Sequence, residues 1–136
     1  MRGSAETGAA VLTGARILAV EDEFVLLLEI ATVLADAGAT VVKCATVEQA
    51  LQALAEDSFA AAILDVRLVR ATIAPVARKL TELGIPFIYY TGEVTSESTM
   101  TQWPRARIVS KPARPAVLVN AVAELLQVSE PRAHGR

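Results

Sequence analysis

Asp22, Asp65, Thr91 and Lys111 each stand directly after a short apolar run or its first acid: RILAV-Glu21-Asp22, AAIL-Asp65, FIYY-Thr91 and RIVS-Lys111. Glu21 and Glu23 flank Asp22, so the first run ends in three acids. Carboxylates gathered without histidine or cysteine suit a hard cation, magnesium above all. Held together with no cation, they would repel and their pKa values would rise. A carboxylate beside such an ion can attack phosphorus and form an acyl phosphate. A lysine and the metal would offset charge on the phosphoryl oxygens, and a threonine hydroxyl could donate a hydrogen bond to one of them. The chemistry suggested is phosphoryl transfer onto an aspartate. Each residue alone also has an ordinary reading: Asp22 as a helix cap, Asp65 as a loop aspartate, Thr91-Gly92 as a turn and Lys111-Pro112 as a strand exit.

What joins the four is the pattern of elements around them. Arg16–Val20 reads as a buried strand, followed by a helix from Phe24 to Ala37 that Gly38 is placed to end. Thr40–Lys43 reads as the second strand. Thr46 caps a second helix reaching Glu56, with Gln49 completing a capping box. Ala60–Leu64 is the third strand, and a helix over Ile73–Leu83 has Pro75 in its first turn and Gly84 at its end. Phe87–Tyr90 is the fourth strand, residues 93–104 a short or mobile helix, and Arg107–Ser110 the fifth strand. The last helix opens at Pro115 and runs to Gln127, with Leu118, Val122, Leu125 and Leu126 on one face.

Strands alternating with helices imply right-handed crossovers and a parallel sheet covered on both sides. Near-uniformly apolar strands fit that double cover. The fold expected is a three-layer α/β arrangement of five βα units with strand order 2-1-3-4-5. In such sheets ligands bind beyond the carboxyl ends of the strands, where the winding reverses. Glu21, Asp22, Asp65, Thr91 and Lys111 all fall on that edge.

The 136 residues suffice for one domain. We divide them into a flexible leader over 1–14, a domain over 15–128 and a flexible tail over 129–136, which holds the single histidine, His134. A hydrophobic fraction of 53% and a mean hydropathy of +0.42 require a substantial core. Charge is near balance at 13 basic and 15 acidic residues, with no basic patch interleaved with aromatics, which argues against a nucleic-acid partner. No apolar run approaches the ~20 residues of a membrane span. Cys44, the single cysteine, excludes an internal disulfide and fits a reducing, cytoplasmic setting.

Taken together, Ile17-Leu18-Ala19-Val20-Glu21-Asp22, Ile63-Leu64-Asp65-Val66, Tyr90-Thr91-Gly92 and Ser110-Lys111-Pro112 resemble the receiver domains of two-component response regulators. The resemblance runs from residue 16 to about 127. It implies that Asp65 accepts the phosphoryl group and that Mg2+ is held by Asp22, by Glu21 directly or through water, by Asp65 and by the backbone carbonyl of Arg67. It implies that Thr91 and Lys111 contact the phosphoryl group and that the Lys111-Pro112 bond is cis. The donor would be a phosphohistidine on a histidine kinase or phosphotransfer protein. The segment Gly84–Gly92 looks like the single-domain "FAT GUY" receivers, although Tyr89-Tyr90-Thr91-Gly92 stands where their FAT-G signature would be.

Such a protein would be no enzyme beyond its own phosphorylation and dephosphorylation. It would act as a monomer or weak homodimer, signalling to a downstream protein or serving as a phosphate sink or relay. Its output surface would involve Val94, Met100, Trp103 and Val117. Two departures stand out. Many receivers carry an aromatic switch three residues before the lysine, where this chain has Ile108, a residue that reads instead as strand core. The loop after Asp65 lacks the usual proline, and Arg67 and Glu93 are placed to pair across the site. The alternative reading is a receiver-like interaction module that is not phosphorylated. A haloacid-dehalogenase-like hydrolase would want a second aspartate two residues after its nucleophile, where Asp22 is followed by Glu23 and Phe24.

Overall fold

The computed structural model describes residues 11–66, 72–92 and 106–129. In chain order they form β1 (Arg16–Val20), α1 (Phe24–Asp36), β2 (Thr40–Cys44), α2 (Val47–Glu56), β3 (Ala61–Leu64), α3 (Ala74–Leu83), β4 (Phe87–Thr91), β5 (Arg107–Ser110) and α4 (Pro115–Ser129). The expected helix over 93–104, the tail beyond Ser129 and the residues Arg67, Glu93, Val94, Met100, Trp103 and His134 lie outside the described residues.

All strand pairs are parallel, in the order β2-β1-β3-β4-β5. The three inner strands are apolar for the reason their pattern suggested: both faces are covered. Ile17, Ala19, Ile63, Ile88 and Tyr90 pack into the layer beneath α1 and α4. Leu18, Val20, Leu64, Phe87 and Tyr89 pack into the opposite layer, beneath α2 and α3. β3 and β4 are buried along their whole length.

The outer strands differ. β5 buries only Val109, and Ile108 is 38% exposed. Ile108 is therefore not the core residue the sequence suggests; it sits on an edge strand, where burial is incomplete.

Local stop signals act where the sequence places them. Gly38 takes φ +107° just after α1, and Gly84 takes φ +74° at the C-cap of α3, conformations that suit glycine. Thr46 caps α2 by accepting from Gln49 N at 3.0 Å. The reciprocal bond reaches one residue further back than a capping box requires, because Gln49 Oε1 accepts from Ala45 N at 2.7 Å.

Residues 11–14, which the expected leader includes, are held against the domain. Leu12 is fully buried in the α1/α4 core layer, its N–H donates to Ala37 O at 2.8 Å, and its carbonyl accepts from Ala15 N. Residues 11–14 are thus a packed turn over the end of α1. The sequence hides this because AAVLTG has neither helical nor strand periodicity.

Candidate functional site

β1 and β3 lie side by side although β2 intervenes in sequence, so the winding reverses between them. The hydrogen-bond ladder continues past the strand ends and draws the polar residues level. Glu21 N donates to Cys44 O, Asp65 N to Val20 O and Lys111 N to Thr91 O, at 2.9–3.0 Å. Thr91 pairs in register with Ser110. The Lys111-Pro112 bond is cis.

Among the described residues the buried polar or charged side chains are Glu21, Asp65 and Thr91, and all three occupy this edge. Glu21, Asp22 and Asp65 each offer a carboxylate oxygen within 4.8 Å of the others. Lys111 Nζ reaches Glu21 Oε1 at 2.8 Å and Asp65 Oδ2 at 3.5 Å. The second Glu21 oxygen accepts from Glu23 N at 3.1 Å. Burial pushes the Glu21 carboxyl above its ordinary pKa, and the Asp65 charge adds to this, while the Lys111 hydrogen bond holds it down in part. Burial works against the Lys111 ammonium, yet Glu21 and Asp65 outweigh it and hold the lysine above its usual value.

Of the residues singled out by sequence, the structure brings together Glu21, Asp22, Asp65 and Lys111 by contact, with Thr91 beside Lys111 on the ladder. Arg67, whose carbonyl was expected as a ligand, lies outside the described residues. The donor set is all oxygen, with no imidazole or thiolate in the cluster, and that chemistry fits Mg2+. Sequence reasoning gave no role to Tyr90. Its hydroxyl accepts from Ala113 N at 3.0 Å, and Lys111 Nζ lies 5.9 Å from its ring centroid. The one signal was an aromatic residue directly before Thr91. A groove of about 470 Å³ between α1 and the start of α4, floored by Tyr90, adjoins this region but does not contain the acidic cluster.

No family model and no curated protein matches the chain. Solved structures do. A response regulator receiver protein from Sinorhizobium medicae WSM419 is 29% identical at a TM-score of 0.78, covering 88% of this chain and 99% of that one. The chain has the receiver-domain fold. The BeF3-activated receiver domain of DrrB, a Thermotoga maritima protein, is 26% identical at a TM-score of 0.70, covering 83% of this chain and 97% of that one. A CheY-like receiver domain from Methanospirillum hungatei JF-1 shares the fold at a TM-score of 0.79 and 24% identity, covering 88% and 98%. This likeness over most of the chain supports a response regulator role. The likeness is to receiver domains in general.

Proposed function

We propose that the chain is a response regulator receiver domain that accepts a phosphoryl group on Asp65. The observation carrying this reading is that the buried carboxylates Glu21 and Asp65 meet the half-buried Lys111 at the carboxyl edge of a receiver-fold sheet, with the buried Thr91 bonded through its carbonyl to Lys111 N. Burying two acids beside a third costs stability, and a lysine alone offsets only part of it.

In the proposed reaction a carboxylate oxygen of Asp65 forms a bond to phosphorus. The phosphorus–nitrogen bond to a donor phosphohistidine breaks, and the leaving imidazole recovers its lone pair and takes up a proton. Lys111 leaves Glu21 to meet a phosphoryl oxygen, and the Thr91 hydroxyl donates to another. Mg2+, held by Glu21, Asp22 and Asp65 with the Arg67 carbonyl, would supply positive charge against the phosphoryl oxygens. Hydrolysis of the acyl phosphate, with water attacking phosphorus, returns the carboxylate.

The donor would be a histidine kinase or phosphotransfer protein, and the phosphorylated chain would act on a downstream protein or serve as a sink or relay. Intact mass after incubation with acetyl phosphate and Mg2+ tests the reading. One added phosphoryl group in the wild type, absent in Asp65→Ala, is the expected result. No adduct in the wild type would favour an interaction module instead.

A further inference from the structure

Tyr90 is the fourth of five residues in β4 and precedes Thr91. Strand alternation turns it away from Tyr89 and into the layer beneath α1 and α4, where it is 4% exposed. Ile108, at the position where an aromatic switch is common, stands on the edge strand and is open to solvent.

The loop after β5 is tied to β4 at two successive β4 residues. Lys111 N donates to the Thr91 carbonyl at 2.9 Å. Two residues on, Ala113 N donates to the Tyr90 hydroxyl at 3.0 Å. The stretch between these bonds carries the lysine whose ammonium reaches Glu21 and Asp65 and lies 5.9 Å from the Tyr90 ring centroid.

We propose that Tyr90 is a positioning residue for Lys111. Its hydroxyl fixes the far end of the Lys111–Ala113 loop and its ring stands near the ammonium, so that Lys111 is kept beside Asp65, within reach of a phosphoryl oxygen there. Phenylalanine at this position would keep the ring and lose the tether. The consequence for chemistry rests on the reading of Asp65 as phospho-acceptor; the effect on the lysine does not.

The test uses the full chain as Tyr90→Phe, Lys111→Ala and the double variant. Nitrogen-15 NMR of the lysine ammonium group, with neither divalent cation nor phosphodonor present, reads how firmly Lys111 is held. Its ammonium protons are expected to exchange with water roughly 2- to 10-fold faster in Tyr90→Phe, the range set by loss of one net hydrogen bond. Phosphorylation by acetyl phosphate is expected to slow by a similar factor in Tyr90→Phe, with no further slowing when the change is added to Lys111→Ala. A residue that merely supports the fold would slow both backgrounds alike. Unchanged ammonium exchange in Tyr90→Phe, or a loss that persists without Lys111, would overturn the proposal. If the wild type takes up no phosphoryl group, the reading of Asp65 fails by itself, and ammonium exchange alone decides the role of Tyr90.

Discussion

Two buried carboxylates facing one lysine leave the site short of positive charge. Glu21 is 2% exposed and Asp65 5%, and Asp22 brings a third acid within reach. Like charges so close disfavour the folded state until a cation joins them. Asp65→Asn is therefore expected to raise stability at neutral pH in metal-free buffer, because it removes the charge that helps to push up the Glu21 carboxyl. Saturating Mg2+ should narrow the gap, because an ion that binds the native state stabilises the wild type more. Urea denaturation with chelator and with excess Mg2+ checks both parts; a variant less stable than wild type in chelator would contradict the repulsion. Asp65, Thr91 and Lys111 were legible in the sequence because each follows an apolar run that can only be an inner strand or its neighbour. The pairing of Glu21 with Lys111 was not, since the partners stand 90 residues apart and meet only once the sheet is assembled. Ile108 misled for the converse reason: an apolar residue type says nothing about whether its strand lies inside the sheet or at its edge.

The elements were readable because their stop signals are local. Gly38, Gly84, Thr46 and Pro75 mark ends that the structure reproduces within a residue or so. What these signals do not disclose is what packs against them. Gly84 has open space where a Cβ would stand, whereas a Cβ on Gly38 would lie 2.6 Å from Thr13 Oγ1 and 2.8 Å from Thr13 N. Gly84→Ala should thus cost about 1 kcal/mol from its positive φ alone. Gly38→Ala should cost roughly 2–4 kcal/mol, since positive φ and collision with backbone act together. Equal losses in urea denaturation of the two variants would show that the Thr13 turn yields freely.

At the scale of the whole molecule, one sheet divides two core layers, and each is exposed to a different failure. The layer beneath α2 and α3 holds Tyr89, fully buried and edge-on to Phe87 with centroids 5.6 Å apart. Burial pushes its hydroxyl up to about 12. The folded state therefore favours the neutral phenol over the phenolate. The stability tied to Tyr89 is fully present below pH 10, the ordinary value, and is lost as pH rises toward 12. The loss should reach about 2–3 kcal/mol. Tyr89→Phe is expected to flatten the alkaline limb of a stability–pH profile while lowering stability at neutral pH. An equally steep limb in the variant would assign alkaline unfolding to other groups.

The layer beneath α1 and α4 is completed from outside the sheet. Leu12 precedes β1, yet it is fully buried among Leu34, Ala37 and Val122 of the same cluster. Its N–H holds the carbonyl of Ala37, one of the orphan acceptors at the end of α1. Leu12→Ala is expected to cost about 2–4 kcal/mol from lost burial and the cavity left behind. Val11→Ala, at a side chain 40% exposed, should stay within about 0.5 kcal/mol. Removal of residues 1–14 should cost at least as much as Leu12→Ala, because it also frees the Ala37 carbonyl and uncovers Gly38. Thermal melts of these three variants against wild type separate the packed turn from a dispensable leader. A truncated chain as stable as wild type would mean that the buried Leu12 adds nothing to the cooperative unit.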